Sequence, residues 1–383
     1  MWLLICALAV PFLVVVANPF FLWLQAQLSV SKTIAPERKS GTLSFSMVTV
    51  IRTPDLALLN EKINNVRQIE DLNQWILYHD GPADEGVKKY IRDNHSDVQL
   101  LESGVRSGKN WVLNDAIRQC SGDIIVFSDL DSLQQPGCIT QLRKHFSDLA
   151  VGGVCGQRVI DEKTGNDSGQ NFYIDLDSQI KKLESALGQL TTNDGKLYAV
   201  RKPLLRPMPD EVSDDLIHGL DVLLQKQRQV YDDTLTARIR LPSRDLAHEV
   251  ERRRRIVCRS LEALWVRKAI FNVFEYGLLS VRLFINKVLR RLIPHALLVA
   301  LLAFNSMLFS ASLSYAVILA AELICFAVLV CIFRGIRHDR IPESIYRLLF
   351  ALGYIAAGLY GTLLGSFDFL KGESYATWTP KKS

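Results

Sequence analysis

Two carboxylates, spaced one residue apart, follow the most strand-like run in the sequence. The residues from 124 to 127 (IIVF) are β-branched or aromatic without polar alternation, which is typical of a strand buried on both faces. Asp129 and Asp131 therefore lie at the carboxyl end of this strand, where ligands bind in open α/β sheets. Both side chains can face one Mg²⁺ or Mn²⁺, which prefers oxygen ligands and takes the remaining ligands from water and substrate phosphates. The pair predicts a site for a metal-bound nucleoside diphosphate.

The same two acids have a simpler interpretation. Acidic residues are common in turns, and Asp129 and Asp131 are equally compatible with a turn that caps a helix opened by Pro136. The pair alone does not decide between a metal site and a helix cap, so the decision depends on the other charged positions of the chain.

Three further charged residues are placed to complete a diphosphate site. Asp80, in the tripeptide HDG, follows a predicted strand over 74–78, although Asp-Gly is also an ordinary turn dipeptide. Lys109, in the run GKNWVLN, precedes a helix and can meet a phosphate or simply be solvated. Asp215, in the tripeptide SDD, can take the proton of an acceptor hydroxyl as a general base. Its alternative role is structural, with Ser213 as an N-cap and the acids favouring the helix dipole.

Four consecutive arginines, residues 252–255, form the last charged motif. Such a run is usually a solvated or lipid-facing stretch. Arginine also binds phosphate through two parallel hydrogen bonds. Arg252 and Arg255 share one face of a helix because they are three residues apart. We therefore expect these two residues to be candidate diphosphate ligands.

Strand-like and helical segments alternate from about residue 43 to residue 250. This alternation predicts an α/β domain in which helices connect the strands of one sheet. The predicted strands cover 43–51, 74–78, 98–101, 154–160 and 230–240, and the predicted helices cover 56–69, 170–187 and 213–227.

Apolar segments flank this domain. Residues 1–26 carry no charge over a length that spans a hydrocarbon core of about 30 Å, which predicts a transmembrane helix. A cleaved signal peptide is the alternative, but the basic amino-terminal region of such a peptide is missing. Residues 261–289 are amphipathic and too charged to span, so we expect helices in the membrane interface. Three further predicted spans and a tail complete the chain: 292–311, 314–333, 347–366 and 367–383.

Basic residues beside the apolar segments predict the orientation in the membrane. Positive charge marks the cytoplasmic side, and it is found after the first span and between the last two: Lys32, Arg38, Lys39, Arg334, Arg337, Arg340 and Arg347. We expect a multi-pass protein of the plasma (inner) membrane with a cytoplasmic domain and an external carboxyl terminus. Lys371, Lys381 and Lys382 argue against the last point. Glu322 lies within a predicted span, where an acid is either functional or paired with a neighbouring helix.

Composition limits the partners. The net charge of +5 is small and concentrated beside apolar runs, which favours membrane lipids over nucleic acid. The seven cysteines form no CxxC pair or metal-binding spacing, which indicates a reducing compartment.

Taken in order, these motifs resemble those of the membrane-embedded family 2 glycosyltransferases, the group of cellulose, hyaluronan and poly-N-acetylglucosamine synthases. The resemblance covers about residues 43–290, and the TWTP stretch with Trp378 also resembles tails of the group. It implies a glycosyltransferase A-type domain over 43–260, with a mixed, mainly parallel sheet that binds a UDP-sugar. It also implies site roles: Asp80 at the uracil and ribose, Asp129 and Asp131 at the metal and diphosphate, Asp215 as the base, and Arg255 at the leaving diphosphate.

Two departures from the family pattern bear on the product. The arginine motif of the family begins with glutamine and ends with a tryptophan on which the acceptor sugar stacks, whereas this chain has Arg252 and Ile256. Trp265 or Trp111 would have to replace that ring in a processive enzyme. The first strand ends in the residues 52–55 (RTPD) instead of Pro-x-x-Asn-Glu. A wide polymer channel would also need a second or accessory export subunit.

The sequence thus favours a metal-dependent, inverting glycosyltransferase that extends an exported polysaccharide. A close alternative transfers one sugar to a lipid acceptor, such as a polyprenyl phosphate or a sphingolipid. A nucleotidyltransferase would use the acid pair but would need neither Asp215 nor the spans, and an inactive membrane scaffold would need none of the acids.

Overall fold

The computed structural model describes residues 2–28, 43–160, 168–239, 246–308, 317–322 and 343–376. The chain divides into two compact units. One, here the helical unit, consists of Met1–Phe21, Ser243–Leu261 and Phe271–Glu373. The other, here the sheet unit, consists of Leu22–Pro242, Glu262–Ile270 and Ser374–Ser383.

The sheet unit is built on one mixed eight-stranded sheet. Its strands are β1 (Phe45–Ile51), β2 (Gln74–His79), β3 (Leu100–Glu102), β4 (Ile124–Phe127), β5 (Ser132–Gln134), β6 (Val151–Ile160), β7 (Tyr198–Arg201) and β8 (Arg228–Ile239). The spatial order is β3-β2-β1-β4-β7-β6-β8-β5. Strands β3, β2, β1 and β4 are parallel neighbours, as are β6 and β8, whereas β7 is antiparallel to β4 and β6, and β5 to β8. The predicted mixed α/β sheet is confirmed.

Helices connect the strands of the sheet unit. They are α3 (Leu56–Arg67), α4 (Glu85–Asn94), α5 (Lys109–Gln119), α6 (Cys138–Phe146), α7 (Ser168–Ala186) and α8 (Asp214–Leu224), and they follow α1 (Trp2–Phe12) and α2 (Asn18–Leu28) in the chain.

The centre of the sheet explains where the acids lie. Strands β1 and β4 are fully buried, and their register pairs Phe45 with Ile124 and Val48 with Phe127. Strand β2 pairs in parallel with the other edge of β1, Ile51 being opposite His79. The carboxyl ends of β1, β2 and β4 therefore meet at one edge of the sheet, and this edge carries both Asp80 and Asp129.

Two elements near the site were not predicted. Helix α4 begins at Glu85 behind the N-cap Asp84, whose carboxylate accepts the N–H of Val87 at 2.9 Å, and it buries Val87 and Ile91, four residues apart. This cap and spacing are readable in the sequence. The short strand β5 begins directly after Asp131, and α6 begins only at Cys138 behind Gly137. The interpretation of Asp129 and Asp131 as caps of that helix is therefore wrong.

The helices that follow β8 in the chain lie mostly in the helical unit. In the chain order these are α9 (Leu246–Val266), α10 (Val273–Tyr276), α11 (Leu278–Leu283), α12 (Arg290–Leu308) and α13 (Glu343–Lys371), with π-helical turns over Leu13–Ala17 and Phe284–Leu289. Within the described residues, two continuous helices are long and apolar enough to cross a membrane: Trp2–Leu28, with a mean hydropathy of 2.4, and Leu278–Met307, with 1.5. The second begins at Leu278, so part of the predicted interfacial segment 261–289 continues into the predicted span 292–311.

The other membrane predictions are only partly covered. The predicted span 347–366 lies within α13, and residues 317–322 of the predicted span 314–333 are helical. In this segment Glu322 accepts two hydrogen bonds from Asn305 of α12, at 3.1 and 3.0 Å, which agrees with the paired alternative for this acid. Outside the described residues lie Lys32, Arg38, Lys39, Cys325, Cys331, Arg334, Arg337, Arg340, Trp378, Lys381 and Lys382.

Close packing of glycines joins two helices of the helical unit. A Cβ added at Gly361 would lie 2.7 Å from the carbonyl oxygen of Val250, and one added at Gly365 would overlap the carbonyl oxygen of Arg254. Arg254 also donates to Asp368, one turn beyond the glycines, at 2.7 Å. Helices α9 and α13 therefore approach so closely that side chains are excluded at these two positions.

Substituting Gly365→Ala should destabilise the helical unit by about 1–3 kcal/mol, because the new methyl group forces α9 and α13 apart. Gly358→Ala is the matched control on the same helix, since a Cβ at Gly358 has no heavy atom within 4 Å. It should be neutral or stabilising by about 0.5–1 kcal/mol. Thermal unfolding of both variants in detergent measures the difference, and equal midpoints would contradict the close packing.

Candidate active site

A buried carboxylate directly follows the end of β2. Asp80 is fully buried, and its Oδ1 accepts the backbone N–H groups of Ser107 and Gly108 at 2.8 and 3.0 Å. Its Oδ2 is buried and has no hydrogen-bond partner among the described residues. Buried polar atoms are usually paired, so this oxygen can accept a hydrogen bond from a ligand at the edge of the sheet.

Gly108 is required at this position for two reasons. It precedes α5 with a φ of +91°, a conformation that residues with a Cβ rarely adopt. A Cβ would also lie 2.6 Å from the carbonyl oxygen of Ala376, so the chain just before the TWTP stretch lies against the amino terminus of α5. The tail thus contacts the same loop that binds Asp80.

The predicted acid pair is held by two lysines. The ammonium of Lys196 lies 2.9 Å from Oδ2 of Asp129 and 2.8 Å from Oδ1 of Asp131. The ammonium of Lys109 lies 3.1 Å from Oδ1 of Asp129 and 2.8 Å from Oδ2 of Asp214. Burial opposes charge on Lys109, Lys196 and Asp129, but the attraction between the lysines and the acids is larger. It raises the pKa of both lysines and holds the pKa of Asp129 far below its usual range.

A third lysine supports the bend that carries the acids. Lys62 of α3 is fully buried, and its ammonium donates to Oγ of Ser128 at 2.6 Å, to the carbonyl of Ser132 at 2.6 Å and to Oε1 of Gln134 at 2.8 Å. Burial lowers the pKa of Lys62 to about 7, although Asp129 and Asp131 oppose this shift. Hydrogen bonds from Lys62 thus hold the bend between β4 and β5 on its buried side.

Asp215 lies in the first turn of α8. Its Oδ1 accepts the hydroxyl of Ser213 at 2.5 Å and the N–H of Leu216 at 2.7 Å, so the hydroxyl of Ser213 does not cap the helix. Burial raises the pKa of Asp215, and the negative charge of Asp214 adds to the effect. A carboxylate with a raised pKa is a stronger proton acceptor than an ordinary one, which suits a general base.

Two asparagines of α5 fix the segment that leads into α8. The side-chain amide of Asn110 donates to the carbonyls of Pro209 and Val212, both at 2.8 Å, and the amide of Asn114 donates to the carbonyl of Met208 at 2.7 Å. Helix α5 therefore positions Lys109 at its first residue and holds the approach to Asp215 through its first two turns.

Aromatic rings pack behind the acids. Tyr198 and Phe127 stack with ring centroids 4.6 Å apart, and the hydroxyl of Tyr198 lies 3.0 Å from Nδ1 of His218. Burial lowers the pKa of His218 to about 4. This histidine is therefore neutral at neutral pH and belongs to the core below the site.

The predicted arginines lie on α9 in the helical unit. Arg252 donates two hydrogen bonds to buried Glu249, at 2.8 and 3.0 Å, and Arg253 shares the same acid. Arg255 is half-buried and lies on the same helix. Binding of a diphosphate by Arg252 or Arg255 stays a prediction. Trp265 and Trp111, the suggested replacements for the missing ring, are both exposed, by 62% and 41%.

The structure brings together most of the predicted residues and adds others. Asp80, Lys109, Asp129, Asp131 and Asp215 all lie around the carboxyl edge of the sheet. Sequence reasoning did not assign the residues that connect them: Lys62, Asn110, Lys196 and Asp214. Asp214 and Asn110 belong to the motifs SDD and GKNWVLN noted above. Lys62 and Lys196 belong to no motif, and only the fold brings them close to the acids.

Comparison with known proteins agrees with this arrangement. Residues 55–205 match the family model described as Glycosyl transferase family 2. This part of the chain is similar to family 2 glycosyltransferase domains. This match confirms the predicted enzyme class, and the matched range includes Asp80, Lys109, Asp129, Asp131 and Lys196. No curated protein matches the sequence significantly.

The structure of the chain also resembles that of a solved enzyme. The mannosyltransferase PcManGT from Pyrobaculum calidifontis, solved with GDP-Man and Mn²⁺, superposes with a TM-score of 0.68 at 18% identity, covering 97% of this chain and 100% of that one. This likeness shows a shared fold. Glucosyl-3-phosphoglycerate synthase from Mycobacterium tuberculosis, solved with Mn²⁺ and UDP, gives a TM-score of 0.40 at 17% identity over 59% of this chain and 80% of that one.

The buried histidine below the site should make the fold sensitive to acid. The pKa of His218 is lowered from its ordinary value of 6.5 to about 4 in the folded chain. Between these two pH values the unfolded chain binds a proton at His218 that the folded chain does not. Stability therefore falls as the pH falls through this window, by about 3 kcal/mol in all. Unfolding of the parent and His218→Leu at pH 7 and pH 4.5 measures this loss. The parent should lose more stability than the variant, and equal losses would contradict the assignment. The His218→Leu variant also loses the contact with Tyr198, but this loss is the same at both pH values and does not change the comparison.

Proposed function

We propose that this chain is a divalent-cation-dependent, inverting glycosyltransferase whose donor is a nucleoside diphosphate sugar. One observation carries the proposal. A buried carboxylate with an unpaired oxygen, a pair of acids, a lysine and a second buried carboxylate lie around one edge of the sheet. They are Asp80, Asp129 with Asp131, Lys109 and Asp215. Each matches a different part of such a donor or its acceptor.

The unpaired Oδ2 of Asp80 fits the nucleoside. An N–H of the base or a ribose hydroxyl can donate to this buried oxygen, while Oδ1 is held by Ser107 and Gly108. The resemblance implies uracil, and PcManGT was solved with GDP-Man, so both nucleotides are candidates.

The acid pair fits a divalent cation that shares its ligands with the donor. Asp129 and Asp131 offer two carboxylates, and the described residues contain no group of three or more His, Cys, Asp or Glu side chains that could hold a metal alone. Mg²⁺ and Mn²⁺ suit such a site, because the donor phosphates and water supply the remaining ligands. When bound, the cation supplies positive charge against the diphosphate leaving group.

The reaction is a single displacement. Asp215 accepts the proton of the acceptor hydroxyl, the hydroxyl oxygen bonds to the anomeric carbon from the side opposite the diphosphate, and the bond from that carbon to the diphosphate oxygen breaks. Ser213 and the N–H of Leu216 orient the Asp215 carboxylate by occupying its Oδ1. The charge of Lys109, at the amino terminus of α5, favours the departing anion. From the resemblance, Arg255 adds a further charge there.

The acceptor is proposed in two forms. The resemblance favours a growing exported polysaccharide, made by a multi-pass enzyme of the plasma membrane whose sheet unit is cytoplasmic, with a possible accessory export subunit. The second form is a single transfer to a lipid. The lipid is either a sphingolipid, whose hydroxyl gives its proton to Asp215, or a polyprenyl phosphate, whose phosphate oxygen attacks as an anion and gives Asp215 no proton. Ile256 favours this form, because it offers no ring on which a polymer end could stack.

Donor turnover tests the proposal. Purified protein in detergent should release UDP or GDP from one of UDP-glucose, UDP-N-acetylglucosamine, UDP-galactose, UDP-glucuronate or GDP-mannose, and only with Mg²⁺ or Mn²⁺. Asp215→Asn should lower kcat by about 10²–10⁴-fold, since it removes the base. In the parent, kcat should fall as the pH falls through the raised pKa of Asp215.

The matched control is Asp233→Asn. Asp233 pairs with Lys182 at the surface, so this variant should keep full activity. Metal-independent release, or an Asp215→Asn enzyme as active as the parent, would contradict the mechanism. Assays supplemented with polyprenyl phosphate or with an oligosaccharide primer distinguish the acceptors through product size.

A further inference from the structure

Lys196 occupies the place between the two acids. Its ammonium contacts Oδ2 of Asp129 and Oδ1 of Asp131 at nearly equal distances, 2.9 and 2.8 Å. These oxygens are the ones that the pair would offer to a cation shared between them. An ammonium and a divalent cation cannot both lie against the same two oxygens, because their charges repel and their contact shells overlap.

The backbone of Lys196 is fixed while its side chain can move. Its carbonyl accepts the hydroxyl of Ser132 at 2.6 Å, its N–H donates to Oδ1 of Asp194 at 3.2 Å, and β7 begins two residues later. Lysine has a flexible four-carbon stem, so the ammonium can leave the acids without any change in the sheet.

The charge at the site shows what Lys196 does there. Asp129, Asp131, Asp214 and Asp215 carry up to four negative charges, and Lys109 and Lys196 contact them with two positive charges. Lys62, behind the bend, adds at most one more, since burial lowers its pKa to about 7. Removing Lys196 would take away one of the two ammonium groups in direct contact with acids that are largely removed from solvent. Lys196 thus keeps the acids together when no other cation does so.

We propose that Lys196 is a built-in competitor of the divalent cation, which holds the acid pair in the donor-free enzyme and must be displaced before the cation binds. This inference rests on the metal site of the proposed function. It follows that the free enzyme binds Mn²⁺ weakly and that the donor diphosphate, which supplies the missing ligands, strengthens the binding. Cation and donor therefore enter the site together.

The test measures Mn²⁺ binding to the purified protein directly. Binding is detected as a loss of the electron paramagnetic resonance signal of unbound Mn²⁺. Without nucleotide, Lys196→Met should bind Mn²⁺ about tenfold more tightly than the parent, and added UDP or GDP should strengthen binding less in the variant than in the parent. Lys182→Met, which removes a surface lysine paired with Asp233 at 2.7 Å, should bind like the parent. Lys196→Met with Asp131→Asn should lose the gain, which locates the ion at the acid pair.

A second measurement guards against poor folding. Mn²⁺ should raise the thermal midpoint of Lys196→Met, and of Lys196→Gln, by more than it raises that of the parent. Equal or weaker Mn²⁺ binding by folded Lys196 variants would overturn the competition and assign Lys196 to supporting the site. If neither parent nor variants bind Mn²⁺, even with nucleotide, the proposed metal site itself fails. Binding in the parent with no gain in the variants refutes the competition alone.

Discussion

The repulsion among carboxylates at one edge of the sheet is the constraint on which the site depends. Parallel pairing of β1, β2 and β4 brings their carboxyl ends together, and the start of α8 adds Asp214 and Asp215. The fold tolerates this because Lys109 and Lys196 each contact two of the acids within 3.1 Å. Charges of this density are costly inside a protein unless they are paired. In the proposal above, Lys196 leaves its position between the acids when the divalent cation binds.

The same constraint explains the supporting contacts. Lys62 and Ser132 fix the bend that carries the acid pair, and Asn110 fixes the approach to α8. They hold backbone segments, so that the charged side chains need little reorganisation when the donor arrives, which is how such sites lower the barrier to transfer.

Much of the sheet unit could be predicted from the sequence, because its strands are continuous apolar runs and its acids follow them directly. Asp80 and Asp129 were placed correctly for that reason. Lys196 was not found, because its role depends on β7 lying beside β4, an antiparallel neighbour more than 70 residues away in the chain. Strand β5 was missed because three residues carry no periodicity. The continuous helix from Leu278 to Met307 was not recognised, because Arg282 and Lys287 divide its sequence into a charged segment and an apolar one.

The most direct test of the account is the position of manganese in crystals of the enzyme grown with Mn²⁺ and UDP or GDP, located by anomalous diffraction. We expect a manganese ion bound by Asp129 and Asp131 and by the diphosphate, with the ammonium of Lys196 withdrawn from both acids. A nucleotide bound with Lys196 still between the acids, or manganese bound elsewhere, would contradict it.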